Sequence, residues 1–132
     1  MSHFKEVELI KKRSLIMFED SKDELSKGHY DLASFLAEQA VQLYLKSIIL
    51  KATGTMPRTH TIRDLIGALR IIYPNKVNEI DKFVKDNRSL LIRLEETYIS
   101  SRYIFKEYEK EETEELVSFA DKVIKFVRFL EI

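Results

Sequence analysis

Every apolar segment of ten or more residues in this chain repeats its hydrophobic residues with a period near 3.6, and none alternates with a period of two. That period is typical of an α-helix, in which side chains three and four positions apart share one face. Turn-forming residues are scarce, since the 132 residues include three glycines and two prolines. The pattern therefore predicts an all-α protein and excludes a sandwich of many strands.

The hydrophobic pattern predicts five helices, which would form an up-and-down bundle in one domain over residues 1–132. They cover about Phe4 to Ser26, Tyr30 to Ala52, Thr61 to Tyr73, Lys76 to Ser101 and Glu112 to Leu130. Gly54 suits the C-terminal cap of the second helix, and Thr61 with Asp64 resembles a capping box that opens the third. The fourth helix is expected to bend between Asp86 and Ser89, where helix formers are weak.

The second predicted helix is apolar on nearly all sides and should therefore be the central one. Its polar residues follow one another at spacings of three or four and form a single stripe, made of Asp31, Ser34, Glu38, Gln42 and Lys46. We expect this stripe to reach water or a partner subunit. Because the helix has more apolar faces than a small bundle easily covers, we also expect a homodimer, with the stripe near its contact.

Charge and composition exclude several classes of function. Lys and Arg together number 22, as do Asp and Glu, so the chain has no net field that would draw it to nucleic acid or an anionic membrane. The absence of cysteine excludes disulfides, thiolate zinc sites and a cysteine nucleophile, and three scattered histidines favour no metal and no cofactor. The longest stretch without a charge is the seven residues Gln39 to Leu45, so we expect no membrane span and a cytoplasmic protein.

The glycines are isolated, which excludes a phosphate-binding loop. Two histidines, His29 and His60, are candidates for a chemical role, and the pattern around each favours a structural one. His29 lies two positions from Asp31, but such neighbours on a helix point in different directions, so a role at the helix terminus is expected. His60 precedes the third helix, where an imidazole can satisfy free backbone groups. Metal binding by His60 would need further ligands at a suitable spacing, and the sequence specifies none.

A polar and aromatic cluster at the end of the fourth predicted helix is the strongest candidate for a binding site. Tyr98, Ser100, Ser101 and Tyr103 place hydroxyl groups around the guanidinium of Arg102. Arg102 could bind the phosphate of a nucleotide or an RNA end, or it could bond the last carbonyls of its helix. The sequence leaves both interpretations open.

Three short patterns occur in a fixed order along the chain. They are Tyr30, Asp31, Ala33, Phe35 and Ala37 to Ala40 with Lys46 to Leu50; then Gly54, Pro57, Thr59, His60 and Leu65; and finally Ser101, Arg102 and Tyr103. Their order and spacing resemble those of the HEPN-domain family, over roughly residues 5 to 130. The resemblance implies a bundle of about five helices, frequent dimers, and pairing with a minimal nucleotidyltransferase in toxin–antitoxin modules. It also implies that a tyrosine near the third pattern can be modified by that partner, which makes Tyr103 and Tyr108 candidates.

The resemblance also implies a ribonuclease activity that needs no metal, in which an arginine is followed after four to six residues by a histidine. Arg102 matches the arginine, but Glu107, Tyr108 and Glu109 stand where the histidine should be. Residues 106–115 contain six glutamates and two lysines, a balance that would repel an RNA backbone. We therefore expect a protein that acts by association, with nucleotide or RNA bound at Arg102. The alternatives are a ribonuclease with another base, such as Glu107 or Tyr108, and a purely structural subunit.

Overall fold

The computed structural model describes residues 3–103 and 107–132, and for residues 99–103 it describes the backbone alone. Within these ranges the chain forms six α-helices and no strand. The helices are α1 (Phe4–Ser26), α2 (Tyr30–Thr53), α3 (Ile62–Ile72), α4 (Val77–Asp86), α5 (Arg88–Tyr103) and α6 (Lys110–Glu131), with a short 3₁₀ turn over Pro74–Lys76 before α4. The all-α helical bundle predicted from the hydrophobic period is confirmed.

The sixth helix arises because the fourth predicted helix is two helices, which meet at Asn87 inside the region where a bend was expected. Asn87 has φ −119° and ψ 18°, which is not helical. The side-chain nitrogen of Asn87 donates a hydrogen bond of 2.8 Å to the backbone carbonyl of Phe83, and its side-chain oxygen accepts one of 3.0 Å from Lys122. The backbone N–H of Asn87 also donates to the Phe83 carbonyl, at 3.1 Å, and the Asn87 carbonyl accepts from the N–H of Leu91. The bond from Lys122 attaches the junction to α6.

Helix α2 lies at the centre of the bundle and packs against α1, α3, α5 and α6. Ala33, Ala37 and Ala40 have no exposed surface, and such small side chains let α1 approach closely enough for Ser14 to donate a hydrogen bond of 2.7 Å to the carbonyl of Ala40. Because neighbouring helices of the same chain cover most of its apolar faces, α2 supplies no argument for a homodimer, which stays a prediction.

The polar stripe of α2 is buried over much of its length, which corrects the expectation that it would reach water or a partner. Ser34 and Glu38 are fully buried, and Gln42 keeps only 3% of its surface exposed. These groups tolerate burial because they are hydrogen-bonded. The Ser34 hydroxyl lies 2.9 Å from that of Thr113 in α6, and Glu38 and Gln42 bond to each other.

The ends of the helices agree with the sequence prediction in one case and differ in another. Gly54 has φ 76° and donates from its N–H to the carbonyl of Leu50, so it is the C-terminal cap that was expected for α2. The capping box predicted from Thr61 and Asp64 is absent, because Thr61 makes no side-chain cap. Instead Glu95 of α5 accepts a hydrogen bond of 2.9 Å from the N–H of Arg63, in the first turn of α3.

Candidate functional site

The binding residues predicted from the sequence lie on the last turns of α5. Ser101, Arg102 and Tyr103 belong to the end of this helix, but their side chains lie outside the described residues. Tyr98 is described and is partly buried, and Arg102 follows it by about one helical turn. The contacts of Tyr98 therefore show which residues lie about one helical turn from Arg102.

The ring of Tyr98 stacks on the imidazole of His60, which comes from the loop between α2 and α3. The two ring centroids are 5.0 Å apart, and the planes are inclined by 20°. His60 is an exposed residue and packs on side chains of α2 and α5. The sequence prediction of a purely local role at the start of α3 missed this long-range contact, which brings an imidazole within reach of the end of α5.

Two side chains of α2 extend to the same imidazole. The Nζ atom of Lys46 and the Oε1 atom of Gln42 each lie 3.3 Å from Nδ1 of His60. Nδ1 can donate to the Gln42 oxygen when it carries a proton and can accept from Lys46 when it does not. Burial lowers the pKa of Lys46, although the nearby Glu38 opposes that shift. The cation and the imidazole thus form one polar group, in which the imidazole contacts Tyr98.

Glu38 connects this polar group to the core of the bundle. Its two carboxyl oxygens accept hydrogen bonds from the side chains of Gln42, at 2.6 Å, and Gln39, at 2.7 Å. Burial raises the pKa of Glu38 from 4.5 to about 7, although these two hydrogen bonds oppose the shift. A chain of hydrogen bonds therefore leads from a buried carboxyl group with a pKa near neutrality to an exposed imidazole.

An ion pair between Arg63 of α3 and Glu95 of α5 borders the site. The guanidinium donates from Nε and from Nη2 at 2.9 to 3.1 Å, so the pair is bidentate, and the Glu95 side chain is only 13% exposed. This ion pair and the stacked rings of His60 and Tyr98 line an open cleft of about 360 Å³. Its lining residues are His60, Thr61, Arg63, Ile92, Glu95, Glu96 and Tyr98.

The other candidate residues lie at the first turn of α2. The N–H of Tyr108 donates a hydrogen bond of 2.8 Å to Asp31, and Tyr108 keeps only 8% of its surface exposed. Glu107, the other alternative base, is exposed. Nδ1 of His29 lies 2.6 Å from Glu24 at the N-terminus of α2 and is not paired with Asp31. A modification of Tyr108 would require its surroundings to open, whereas Tyr103 lies outside the described side chains.

The described residues include neither a metal-binding cluster nor a membrane-spanning helix. Nowhere in 3–98 and 107–132 do three histidine or carboxylate side chains come close enough together to hold a metal ion. None of the six helices, over the part of the chain that is described, has both the length and the apolar character needed to cross a membrane.

No curated protein and no solved structure matches this sequence significantly. The family model of the HEPN domain matches residues 7–130, nearly the whole chain, and its pattern runs from α1 to the end of α6. This chain therefore belongs to the HEPN domain family.

Proposed function

We propose that this HEPN protein binds a phosphate-bearing ligand, a nucleotide or an RNA end, at the end of α5, and that it acts in association with a nucleotidyltransferase in a toxin–antitoxin-type module. One observation carries the binding proposal. The imidazole of His60 stacks on Tyr98, about one helical turn before Arg102, and the ammonium group of Lys46 lies 3.3 Å from that imidazole. Two side chains that can donate to a phosphate thus lie near the arginine of the family pattern.

Electrostatics favours a small ligand over a long RNA at this place. The segment after α5 is acidic, since Glu107, Glu109, Glu111 and Glu112 follow within a few residues. An RNA strand crossing it would meet several negative charges, whereas a mononucleotide or a strand end can approach from the side of Lys46. The association with a nucleotidyltransferase is supported by family membership, and Tyr103 and Tyr108 are the proposed acceptors of its nucleotidyl group.

Replacing Arg102 with Ala should weaken the binding of ATP and of a short RNA at low salt by about tenfold or more, because charge-assisted hydrogen bonds to phosphate are lost. Wild-type affinity should also fall steeply as salt increases. The measurement is a titration with labelled ligand. Arg88→Ala, at the opposite end of the same helix, removes the same charge and should bind as the wild type does. Equal binding by all three proteins, or binding by none, would contradict the proposal.

A ribonuclease is the second candidate function, and the position of His60 is the observation that favours it. The family pattern lacks a histidine after Arg102, but the loop before α3 supplies an imidazole next to α5. If His60 takes the role of the base, RNA should be cleaved in EDTA, and both His60→Ala and Arg102→Ala should reduce the rate at least a hundredfold. Arg88→Ala should cleave normally. Intact RNA in the presence of the wild type would reject this candidate and leave the binding proposal in place.

A further inference from the structure

Nδ1 of His60 lies at the same distance from two groups that require opposite protonation states of that nitrogen. The Oε1 atom of Gln42 and the Nζ atom of Lys46 are each 3.3 Å away from it. The Gln42 oxygen can only accept and needs a proton on Nδ1, whereas the Lys46 ammonium group can only donate and needs a lone pair there. A neutral imidazole carries its proton on either Nδ1 or Nε2, so only one of the two contacts is a hydrogen bond at a time.

The orientation of the Gln42 amide group depends on Glu38, which it contacts on the side away from His60. Gln42 donates from Nε2 to one carboxyl oxygen of Glu38 at 2.6 Å, and Gln39 donates to the other at 2.7 Å. Only an ionised carboxyl group accepts both bonds, so the ionised form of Glu38 holds the Gln42 oxygen toward His60. In this state Nδ1 carries the imidazole proton, and Nε2 has a lone pair.

Protonation of Glu38 reverses the order of donors and acceptors along this chain of contacts. The new O–H group has to donate, and it finds an acceptor in Gln42 once the amide turns over about its last side-chain torsion, which is broad and two-fold. The Gln42 nitrogen then faces Nδ1 of His60, which has to accept, so the imidazole proton is on Nε2. A turn of Gln42 is favoured over a turn of Gln39, because it also makes Nδ1 an acceptor for Lys46, where two donors otherwise face each other.

We propose that Glu38 and Gln42 are positioning residues for His60, and that the protonation state of Glu38 determines, through the orientation of the Gln42 amide, which ring nitrogen of His60 carries the proton. With Glu38 protonated, Nε2 is a donor, which is the form that binds a phosphate oxygen. With Glu38 ionised, Nε2 is an acceptor, which is the form that a general base requires. This consequence for the ligand rests on the proposed function, whereas the tautomer is a property of the free protein.

The pH range of this change follows from the burial of Glu38, which raises its pKa to about 7, although the two amide hydrogen bonds oppose the rise. The charged groups that act on Glu38 are Lys46 of α2, which lowers this pKa, and Glu95 of α5, which raises it and is itself paired with Arg63 of α3. Besides Lys46, the titratable groups near His60 are those that share its cleft, namely Arg63, Glu95, Glu96 and Tyr98. Between pH 6 and 8 Glu38 therefore changes from mostly protonated to mostly ionised.

The nitrogen-15 chemical shifts of the imidazole measure the tautomer in the free protein. The difference between the shifts of Nδ1 and Nε2 reports which nitrogen is protonated, and their sum reports the fraction of cation, so the tautomer ratio of the neutral form is obtained at each pH. Between pH 6 and 8 the ratio of Nδ1–H to Nε2–H in His60 should rise about fivefold or more, the factor expected when one hydrogen bond is exchanged for another. His29 is the internal reference and should keep a constant ratio, because Glu24, 2.6 Å from its Nδ1, holds the proton on that nitrogen and has a pKa that this hydrogen bond lowers.

Three variants identify the route of the change, and far-UV circular dichroism confirms that each is folded. Gln42→Met removes the amide between Glu38 and His60, and Glu38→Gln removes the titrating group, so in both the ratio should be independent of pH. Gln39→Met is the matched control, since it removes the amide at the other carboxyl oxygen and should keep the rise. A constant ratio in the wild type, or a rise that persists in Gln42→Met, would overturn the proposal. Because no ligand is added, a failed titration with ATP would count against the proposed function alone.

Discussion

Replacing Glu38 with Gln should abolish a loss of stability that the wild type undergoes as the pH rises from 5 to 8. Glu38 is fully buried, and burial raises its pKa from 4.5 to about 7. The folded protein therefore holds the proton more tightly than the unfolded chain does. Below the unfolded pKa both states are protonated, and the carboxyl group costs no stability. Between pH 4.5 and 7 the stability falls, and above pH 7 the loss is complete.

The size of this loss of stability follows from the pKa shift of Glu38. One pKa unit corresponds to about 1.4 kcal/mol, so between pH 5 and 8 the wild type should lose about 2.5 kcal/mol relative to the Glu38→Gln variant. The amide introduced by this substitution is neutral at every pH, and it would exchange one hydrogen bond with Gln39 or Gln42 for a contact between two donors. That cost of about 1 kcal/mol does not depend on pH, so the slopes of the two profiles are compared rather than their heights.

Urea unfolding at several pH values measures this difference, because urea leaves the electrostatic interactions unscreened. Lys46 and Glu95, the charged groups that act on Glu38, are present in both proteins, so the two proteins differ only in the side chain at position 38. Glu96→Gln makes the same chemical change at an exposed position of α5 and should give a profile parallel to that of the wild type. Parallel profiles for wild type and Glu38→Gln would mean that Glu38 is ionised in the folded protein at pH 5.

Burial of Glu38 also illustrates what the sequence could not reveal. A stripe of polar residues on a helix usually faces water, and the spacing of Glu38, Gln42 and Lys46 fits that expectation. The stripe is instead buried, and partners from two other segments satisfy part of it, Thr113 of α6 beside Ser34 and His60 of the loop before α3 beside Gln42. The decisive partner of Gln42, His60, is distant in sequence and lies in a loop. No local pattern encodes a contact of this kind.

Local features were predicted well, because the residues that determine them are close in sequence. The period near 3.6 located the helices, Gly54 marked the end of α2, and the weak helix formers around Asn87 marked the junction of α4 and α5. The sequence prediction named the wrong side chain as the cap of the N-terminus of α3. Thr61 and Asp64 have the spacing of a capping box, but the acceptor of the Arg63 N–H comes from Glu95, in another helix. Only the tertiary structure brings that carboxylate into position.

The contribution of Glu95 provides the second prediction of large effect. Its carboxylate makes a bidentate pair with the Arg63 side chain and accepts the Arg63 N–H in the first turn of α3, where an anion is also favoured by the helix dipole. Glu95→Ala removes the pair and the cap together and leaves Arg63 partly buried without its partner. The free energy of unfolding should fall by about 3 kcal/mol, as expected for breaking a partly buried, hydrogen-bonded ion pair.

Glu96→Ala is the matched control, because it removes the same side chain from the next position of α5, which is exposed. Its effect should stay within about 0.5 kcal/mol. Urea unfolding of the two variants at pH 7 measures the difference, and equal stabilities would show that the pair between Arg63 and Glu95 contributes nothing.

Because the same pair fixes the start of α3 against α5, its loss should also let His60 move away from Tyr98. Ligand binding by Glu95→Ala should therefore weaken under conditions in which the variant is still folded.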